Sequence, residues 1–226
     1  MPKSKPSKGK PSRNGPAKIK PAKAASKRGP IDLATAVRES RSASVLKSAN
    51  ADVLAGLGMA VAYVRVPTKI GDAFVSYGRD GVDGVRLVES DAAFVKWHEK
   101  RFKTAPIRDP KPPPDVVDKL KRGLAGDRSA RVAVDLGSLT EFQRLVLEKT
   151  TEIARGQVRT YAWLANEVKR PRSALAVRTT LANNPVPLLV PCHRVVAGDD
   201  AIGEYVFGPA VKKKLLALEG VDFREE

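Results

Sequence analysis

The first thirty residues, MPKSKPSKGKPSRNGPAKIKPAKAASKRGP, set the strongest limit on what this chain can fold into. Pro6, Pro11, Pro16 and Pro21 recur every five residues, and each removes an amide donor and bars a continuing helix. The segment also holds eight lysines, two arginines and no acid, so ten of the sixteen net positive charges lie here. Such a stretch has no apolar face to bury and is expected to stay extended, so residues 1–44 read as a disordered, basic Lys/Pro-rich tail. Either it solubilises the chain or it draws the chain to nucleic acid, where each neutralised phosphate releases counterions. The regular prolines and the excess of Lys over Arg argue against a mitochondrial presequence, and the apolar core of a secretory signal is missing. No apolar run approaches the roughly 18–20 residues a membrane helix needs. The expectation is an intracellular chain without a membrane partner, cytoplasmic or nucleoid-associated, or nuclear in a eukaryote.

The rest of the chain supplies the core. Residues 31–57 look mixed and partly helical. From Met59 onward MAVAYVRVP, DAFVSYG and GVRLVES alternate with glycine-rich turns and read as three short antiparallel strands. SDAAFVKWHEKRF (90–102) has a Ser N-cap and apolar Ala93, Phe94 and Trp97 at helical spacing, which places a helix over that sheet. On it His98 reads as a surface or boundary residue. Trp97 and Trp163 read as packing residues. After the proline-rich DPKPPPD, VVDKLKRGLAG reads as a short helix and RVAVDLG as a further strand. The second half is helical. LTEFQRLVLEKTTEIARG (139–156) opens with Thr140 and Gln143 in capping-box spacing and closes at Gly156. TYAWLANEVKR (160–170) and SALAVRTTLANN (173–184), joined by an Arg-Pro-Arg turn, have the form of a helix-turn-helix. VKKKLLALEGV (211–221) is a final amphipathic helix whose lysines read as a solvated face. The fold class is α+β, in two domains at 45–137 and 138–226.

One cysteine, Cys192, lies in NNPVPLLVPCHRVVAG (183–198). A single thiol excludes an internal disulfide framework and a zinc site built from several cysteines of this chain. An isolated buried cysteine is most often a small hydrophobe, but its surroundings here point elsewhere. Pro185, Pro187 and Pro191 stiffen a strand-like approach, and His193 and Arg194 follow at once. A free thiol titrates near about 8.5, and a neighbouring base or cation raises its thiolate fraction. Cysteine, histidine and a carboxylate to orient the histidine make an activated thiol. Spacing alone does not identify that carboxylate.

Pro191-Cys192-His193-Arg194-Val195, preceded by Asn184-Pro185-Val186-Pro187, resembles the signature of the O6-alkylguanine-DNA alkyltransferases. The resemblance runs over roughly 58–222. The sheet module resembles their ribonuclease-H-like N-terminal domain, and the helical second half resembles their helix-turn-helix, winged-helix-like alkyltransferase domain. GQVRTYAWLA matches the first element of that motif, ALAVRTTLANNPVP the recognition helix, and EYVF with LLALEG the substrate loop and last helix. The resemblance implies DNA repair by direct reversal. A monomer binds the minor groove of double-stranded DNA, turns an O6-alkylguanine (or an O4-alkylthymine) out of the stack, and takes the alkyl group irreversibly on its cysteine. No metal or cofactor is implied. Carried over by position, Cys192 is the nucleophile, His193 the base through a water, and Glu219 the carboxylate that orients it. Asn184 fixes the turn before the active segment, and Tyr161 donates a proton toward the leaving guanine. Tyr205, Val206, Val195 and Pro187 line the pocket. Thr160, Arg172, Ala174, Leu175 and Arg178 contact DNA.

Two positions depart from the family pattern. Leu175 occupies the place of an arginine that fills the gap left by the extruded base, and Arg178 replaces a small residue one turn on. Three readings are open: Leu175 wedges as an apolar side chain, Arg172 substitutes for the missing arginine, or flipping is impaired. Extra affinity from the tail would compensate, and removal of residues 1–30 would then weaken DNA binding and its salt dependence. Two other classes stand beside repair: a non-repairing, alkylation-sensing DNA-binding module of the same fold, and a nucleoid or regulatory DNA binder.

Overall fold

The computed structural model describes residues 54–55, 58, 60–112, 114–198 and 201–221, all within the compact unit Val45–Glu226. The tail assigned to 1–44 and nearly all of the mixed segment 31–57 lie outside the described residues.

The three alternating segments form β1 (Ala62–Thr68), β2 (Gly71–Gly78) and β3 (Gly81–Leu87), an antiparallel meander. Their side chains divide by the two-residue period of a pleated strand. Ala62, Val64 and Val66 of β1 and Ala73, Val75 and Tyr77 of β2 face one core, while Tyr63 and Phe74 face another. A fourth strand, β4 (Ile107–Arg108), pairs parallel to β1 and gives the order β3-β2-β1-β4. Two residues are too few to show alternation, and the sequence did not reveal it.

Helix α1 (Asp91–Phe102) covers the Tyr63–Phe74 face with Phe94, and Ser90 caps it by accepting the Ala93 amide at 3.2 Å. His98 corrects the expectation of a surface or boundary residue, because it is 0% exposed. It lies one turn after Phe94 and therefore on the same inward stripe. There Nδ1 donates to the Thr104 carbonyl at 2.8 Å and Nε2 meets Asp83 at 3.1 Å. Asp83 also accepts the Ser76 hydroxyl at 2.6 Å, so the ring ties α1 to β2 and β3. Trp97 packs against Phe94, and the Arg86 guanidinium stacks 4.3 Å above its ring.

The other face of the sheet receives Leu120 and Leu124 of α2 (Pro114–Leu124). RVAVDLG, expected as a strand, is corrected to a single bridge between Val134 and Val82. The segment starts from a left-handed Arg131 (φ 46°), touches β3 only where Val82 donates to Ala133 and accepts from Asp135, and turns away at Leu136. This contact needs Gly81, whose φ is 130° and whose Cβ, if present, would lie 2.7 Å from the Ala133 backbone.

Helix α3 (Glu141–Thr151) carries the Thr140–Gln143 capping box. It ends at Thr151 and not at Gly156, and the Ile153 carbonyl beyond it accepts Arg194 at 2.7 Å. Next along the chain are β5 (Arg159–Thr160), α4 (Tyr161–Glu167), α5 (Ala174–Ala182), β6 (Val195–Val196) and α6 (Pro209–Leu218). The expected helix-turn-helix is α4 and α5. Parallel pairing of β5 with β6 joins the start of α4 to the segment after Cys192. Val146, Leu147, Leu164, Trp163, Val177 and Leu181 share one apolar cluster with Val64, Val75 and Val85 of the sheet. The architecture is α+β: a small sheet with helices.

Candidate active site

The site is built where α5 ends. Asn184 is fully buried, and its side chain is bonded at both ends. Oδ1 accepts the Val186 amide at 3.0 Å, while Nδ2 donates to the Val190 carbonyl at 3.2 Å and to Cys192 Sγ at 3.1 Å. Strand β3 braces the same approach. The Val85 amide donates to the Pro185 carbonyl at 2.8 Å, and Arg86 reaches the Asn184 carbonyl at 3.5 Å.

Cys192 is not in a strand, which corrects the expectation. It opens a 3-10 turn, Cys192–Arg194, directly before β6. Pro191 has no amide to donate to a ladder, and the Arg194 amide closes back on the Pro191 carbonyl at 3.0 Å. In a strand the three side chains would alternate between faces; in this turn Cys192, His193 and Arg194 are all buried.

His193 Nε2 donates to Glu219 Oε1 at 3.1 Å. Glu219 caps the end of α6 and is gripped by Arg194 through two bonds, Nε to Oε2 at 2.8 Å and Nη2 to Oε1 at 2.7 Å. Burial opposes the Glu219 charge, but the bonds from His193 and Arg194 outweigh it and hold its carboxyl at about 2. The carboxylate therefore stays ionised and fixes the imidazole tautomer, leaving Nδ1 as a free acceptor. Burial lowers the His193 pKa against the pull of Glu219, so the ring is a neutral base. Among the described residues, His193 Nδ1 and Tyr205 Oη are the two buried side-chain polar atoms without a partner. A cavity of about 340 Å³ lined in part by Leu124, Leu188 and Leu215 opens onto His193 and Glu219.

The thiol departs from the expectation of a ready thiolate. Burial pushes it up to about 11, and Asn184, Lys212 and Arg86 pull it down without overcoming that push. The resting pair is thus a thiol and a neutral imidazole.

The lysines of the last helix do not all form the expected solvated face. Lys214 is exposed, but Lys212 is 0% exposed and lies one turn from buried Leu216 on the inward stripe. Its Nζ donates to the Val195 carbonyl at 2.6 Å and to the Glu204 carbonyl at 3.2 Å. Burial lowers its pKa to about 8, partly offset by Cys192. Lys212, Arg86 and the Arg194 clamp were missed from sequence. Helical spacing from Leu216 marks Lys212 as an inward residue, but a lysine read by type alone is given to solvent.

The other expected residues fall in two groups. Tyr205 stands edge-on to His193 with centroids 6.2 Å apart, Val195 is buried in β6, and Pro187 is buried in the approach, with Val206 half-buried against the core. Tyr161 opens α4 with its ring 6.0 Å from Lys212 Nζ, and burial raises its pKa, so it keeps its proton. The segment carrying Tyr205 comes close to Tyr161 at Gly203, whose φ is 71° and whose Cβ would lie 3.0 Å from Tyr161 Oη. Thr160 caps α4 by accepting the Trp163 amide at 3.1 Å. In the second group, Arg172, Leu175 and Arg178 are exposed, Leu175 at 72%, while Ala174 is half-buried. Arg178 is paired with Glu204.

Together these features define an α+β protein with one protected cysteine, poised beside a neutral histidine and a helix–turn–helix whose second helix is open to solvent. The family profile described as 6-O-methylguanine DNA methyltransferase, DNA binding domain, matches residues 141–221. The chain is 36% identical over 157 residues to the methylated-DNA–protein-cysteine methyltransferase of Methanothermobacter thermautotrophicus, covering 66% of this chain and 80% of that relative. The match to the Sulfurisphaera tokodaii protein of the same name is 44% over 89 residues, covering 39% of this chain and 55% of that relative, about half its length. The crystal structure of Mycobacterium tuberculosis O6-methylguanine methyltransferase gives a TM-score of 0.56 at 27% identity, covering 70% of this chain and 92% of the other. The Mycobacterium tuberculosis protein in complex with DNA gives 0.54 at 27%, covering 70% and 91%. The chain belongs to the methylated-DNA–protein-cysteine methyltransferase family.

Proposed function

We propose that this protein binds DNA and repairs it by direct reversal, accepting a methyl or larger alkyl group from O6-alkylguanine irreversibly on Cys192. The observation that carries this reading is the Cys192 cluster. One buried sulfur accepts a hydrogen bond from Asn184, next to an imidazole whose Nε2 is committed to Glu219 and whose Nδ1 is free.

The chemistry is a displacement at carbon. His193 Nδ1 takes the thiol proton through a water as the sulfur attacks the alkyl carbon. The S–C bond forms, the C–O6 bond breaks, and its electrons stay on the guanine. Tyr161 gives a proton toward the leaving base and regains one from the relay, so guanine and S-alkylcysteine are the only products. Tyr205, Val206, Val195 and Pro187 enclose the base. Glu219 orients His193, and Arg194 keeps that carboxylate in place.

Delivery falls to α5. A guanine inside a duplex cannot reach a buried sulfur, so it is rotated out at a cost of a few kcal/mol. With α4 and α5 as a winged-helix-like reader in the minor groove, exposed Leu175 is placed to wedge into the stack, with Arg172 and Arg178 at phosphates and Thr160 and Ala174 alongside. The sheet module plays the part of the ribonuclease-H-like domain by bracing the active segment through Val85 and Arg86. The protein acts as a monomer, inside the cell where the DNA is.

The test uses a duplex with one O6-methylguanine, incubated with the protein and digested to nucleosides. Unmodified guanine should appear in a one-to-one ratio to protein, and none with Cys192→Ser. Persistence of O6-methylguanine with the wild-type chain would reject the reading.

A further inference from the structure

Arg178 of α5 and Glu204 of the segment before α6 form an exposed ion pair at 2.5 Å. Arg178 lies one turn beyond exposed Leu175, on the surface that the helix presents to DNA. Glu204 places an acid on that same surface, where it would repel phosphate unless neutralised. Its carbonyl also accepts the buried Lys212 at 3.2 Å, an inner tie that stretches when the segment moves. Tyr205, the next residue, stands edge-on to His193, and Gly203, the residue before, lies against Tyr161. The pair therefore links α5 to the segment that carries Tyr205.

We propose that Arg178 and Glu204 form a clasp that DNA opens: a backbone phosphate takes Arg178 from Glu204, and the segment carrying Tyr205 is freed to admit the extruded base. The clasp rests on the reading of Cys192 as a DNA alkyl acceptor. It makes admission conditional on DNA contact and shields the sulfur from small electrophiles in the absence of DNA. Both partners are exposed, so the pair is weak enough for a phosphate to displace it.

The experiment measures affinity of the full chain for an unmodified duplex at fixed salt, for wild type, Glu204→Gln, Arg178→Gln and the double variant. Glu204→Gln should tighten binding by about two- to fivefold, the scale of one exposed ion pair. Arg178→Gln should weaken it, and the double variant should bind like Arg178→Gln alone. Without DNA, Glu204→Gln should also speed labelling of Cys192, the only cysteine, by methyl methanethiosulfonate to a similar degree. If Glu204→Gln tightens binding equally in the Arg178→Gln background, the acid merely repels DNA and the clasp is wrong. Unchanged affinity or unchanged labelling overturns it as well. Neither readout uses alkylguanine, so a wild-type chain that shows the coupling but leaves O6-methylguanine intact would reject the repair reading and spare the clasp.

Discussion

The buried amide of Asn184 donates a hydrogen bond to Cys192 sulfur, Nδ2 to Sγ at 3.1 Å, while the same amide holds the Val190 carbonyl and the Val186 amide. One side chain thus shapes the turn that presents the sulfur and, in the proposed reaction, stabilises the charge the sulfur develops.

Asn184→Ala should therefore cost on two accounts. Two backbone groups lose their partner in the interior, which lowers stability by about 2–4 kcal/mol in denaturant unfolding. The sulfur loses a donor, and single-turnover methyl transfer should slow by about tenfold or more, since a bond to a charged group carries about 1.5–3 kcal/mol. A destabilised variant whose folded fraction reacts at the wild-type rate would limit Asn184 to a structural role.

In the protein without DNA, burial holds the Cys192 thiol at about 11. Labelling by a small thiol reagent should be slow at neutral pH and climb steeply above about 9, past the ordinary thiol value of about 8.5. A labelling profile with its midpoint below about 8 would show a preformed thiolate.

Glu219 is held at about 2 against 4.5 for the free side chain. A depressed carboxyl contributes stability that is fully present above 4.5 and is lost as pH falls toward 2. Glu219→Gln should flatten that acid limb. At neutral pH it should cost about 3–5 kcal/mol, because Arg194 is left buried without its carboxylate. Unfolding of both proteins across this window measures the difference, and an unchanged acid slope would contradict the assignment.

Lys212→Met keeps an unbranched side chain, one atom shorter, and removes its charge. The Val195 and Glu204 carbonyls lose their donor, and the sulfur loses a nearby cation. The Cys192 labelling profile should move up by about one pH unit and transfer at fixed pH should slow about tenfold, the two being equivalent. Slower transfer without a shifted profile would confine Lys212 to packing.

Leu175→Ala removes an exposed side chain and should change stability by no more than about 0.5 kcal/mol. Transfer from duplex should fall severalfold, while transfer from single-stranded DNA, which has less stacking to break, should be little affected. Equal losses on both substrates would argue against the wedge.

The reach of the sequence shows in particular residues. Ser90 and the Thr140–Gln143 box were legible because a cap is a local signal, read within four residues. The three long strands were legible through alternation and glycine turns. RVAVDLG has the same alternation, but strand formation depends on a partner edge, and β3 offers it one bridge. Cys192, His193 and Glu219 came from the motif, and the structure brings them and Asn184 together. Lys212 was assigned to solvent and His98 to the surface or boundary by residue type, yet each lies one turn from a buried apolar residue and bonds to a carbonyl that helical spacing does not reveal. Arg86 is nearly a hundred positions from Asn184 along the chain (98), and such contacts belong to the tertiary fold.

The most direct measurement is the intact mass of the protein after incubation with a duplex carrying O6-methylguanine, followed by peptide mapping. One added methyl group on Cys192, and none on Cys192→Ser or after plain duplex, is the expected result. An unmodified Cys192, alongside a relative that is fully methylated in the same reaction, would contradict the assignment of this sulfur as the acceptor.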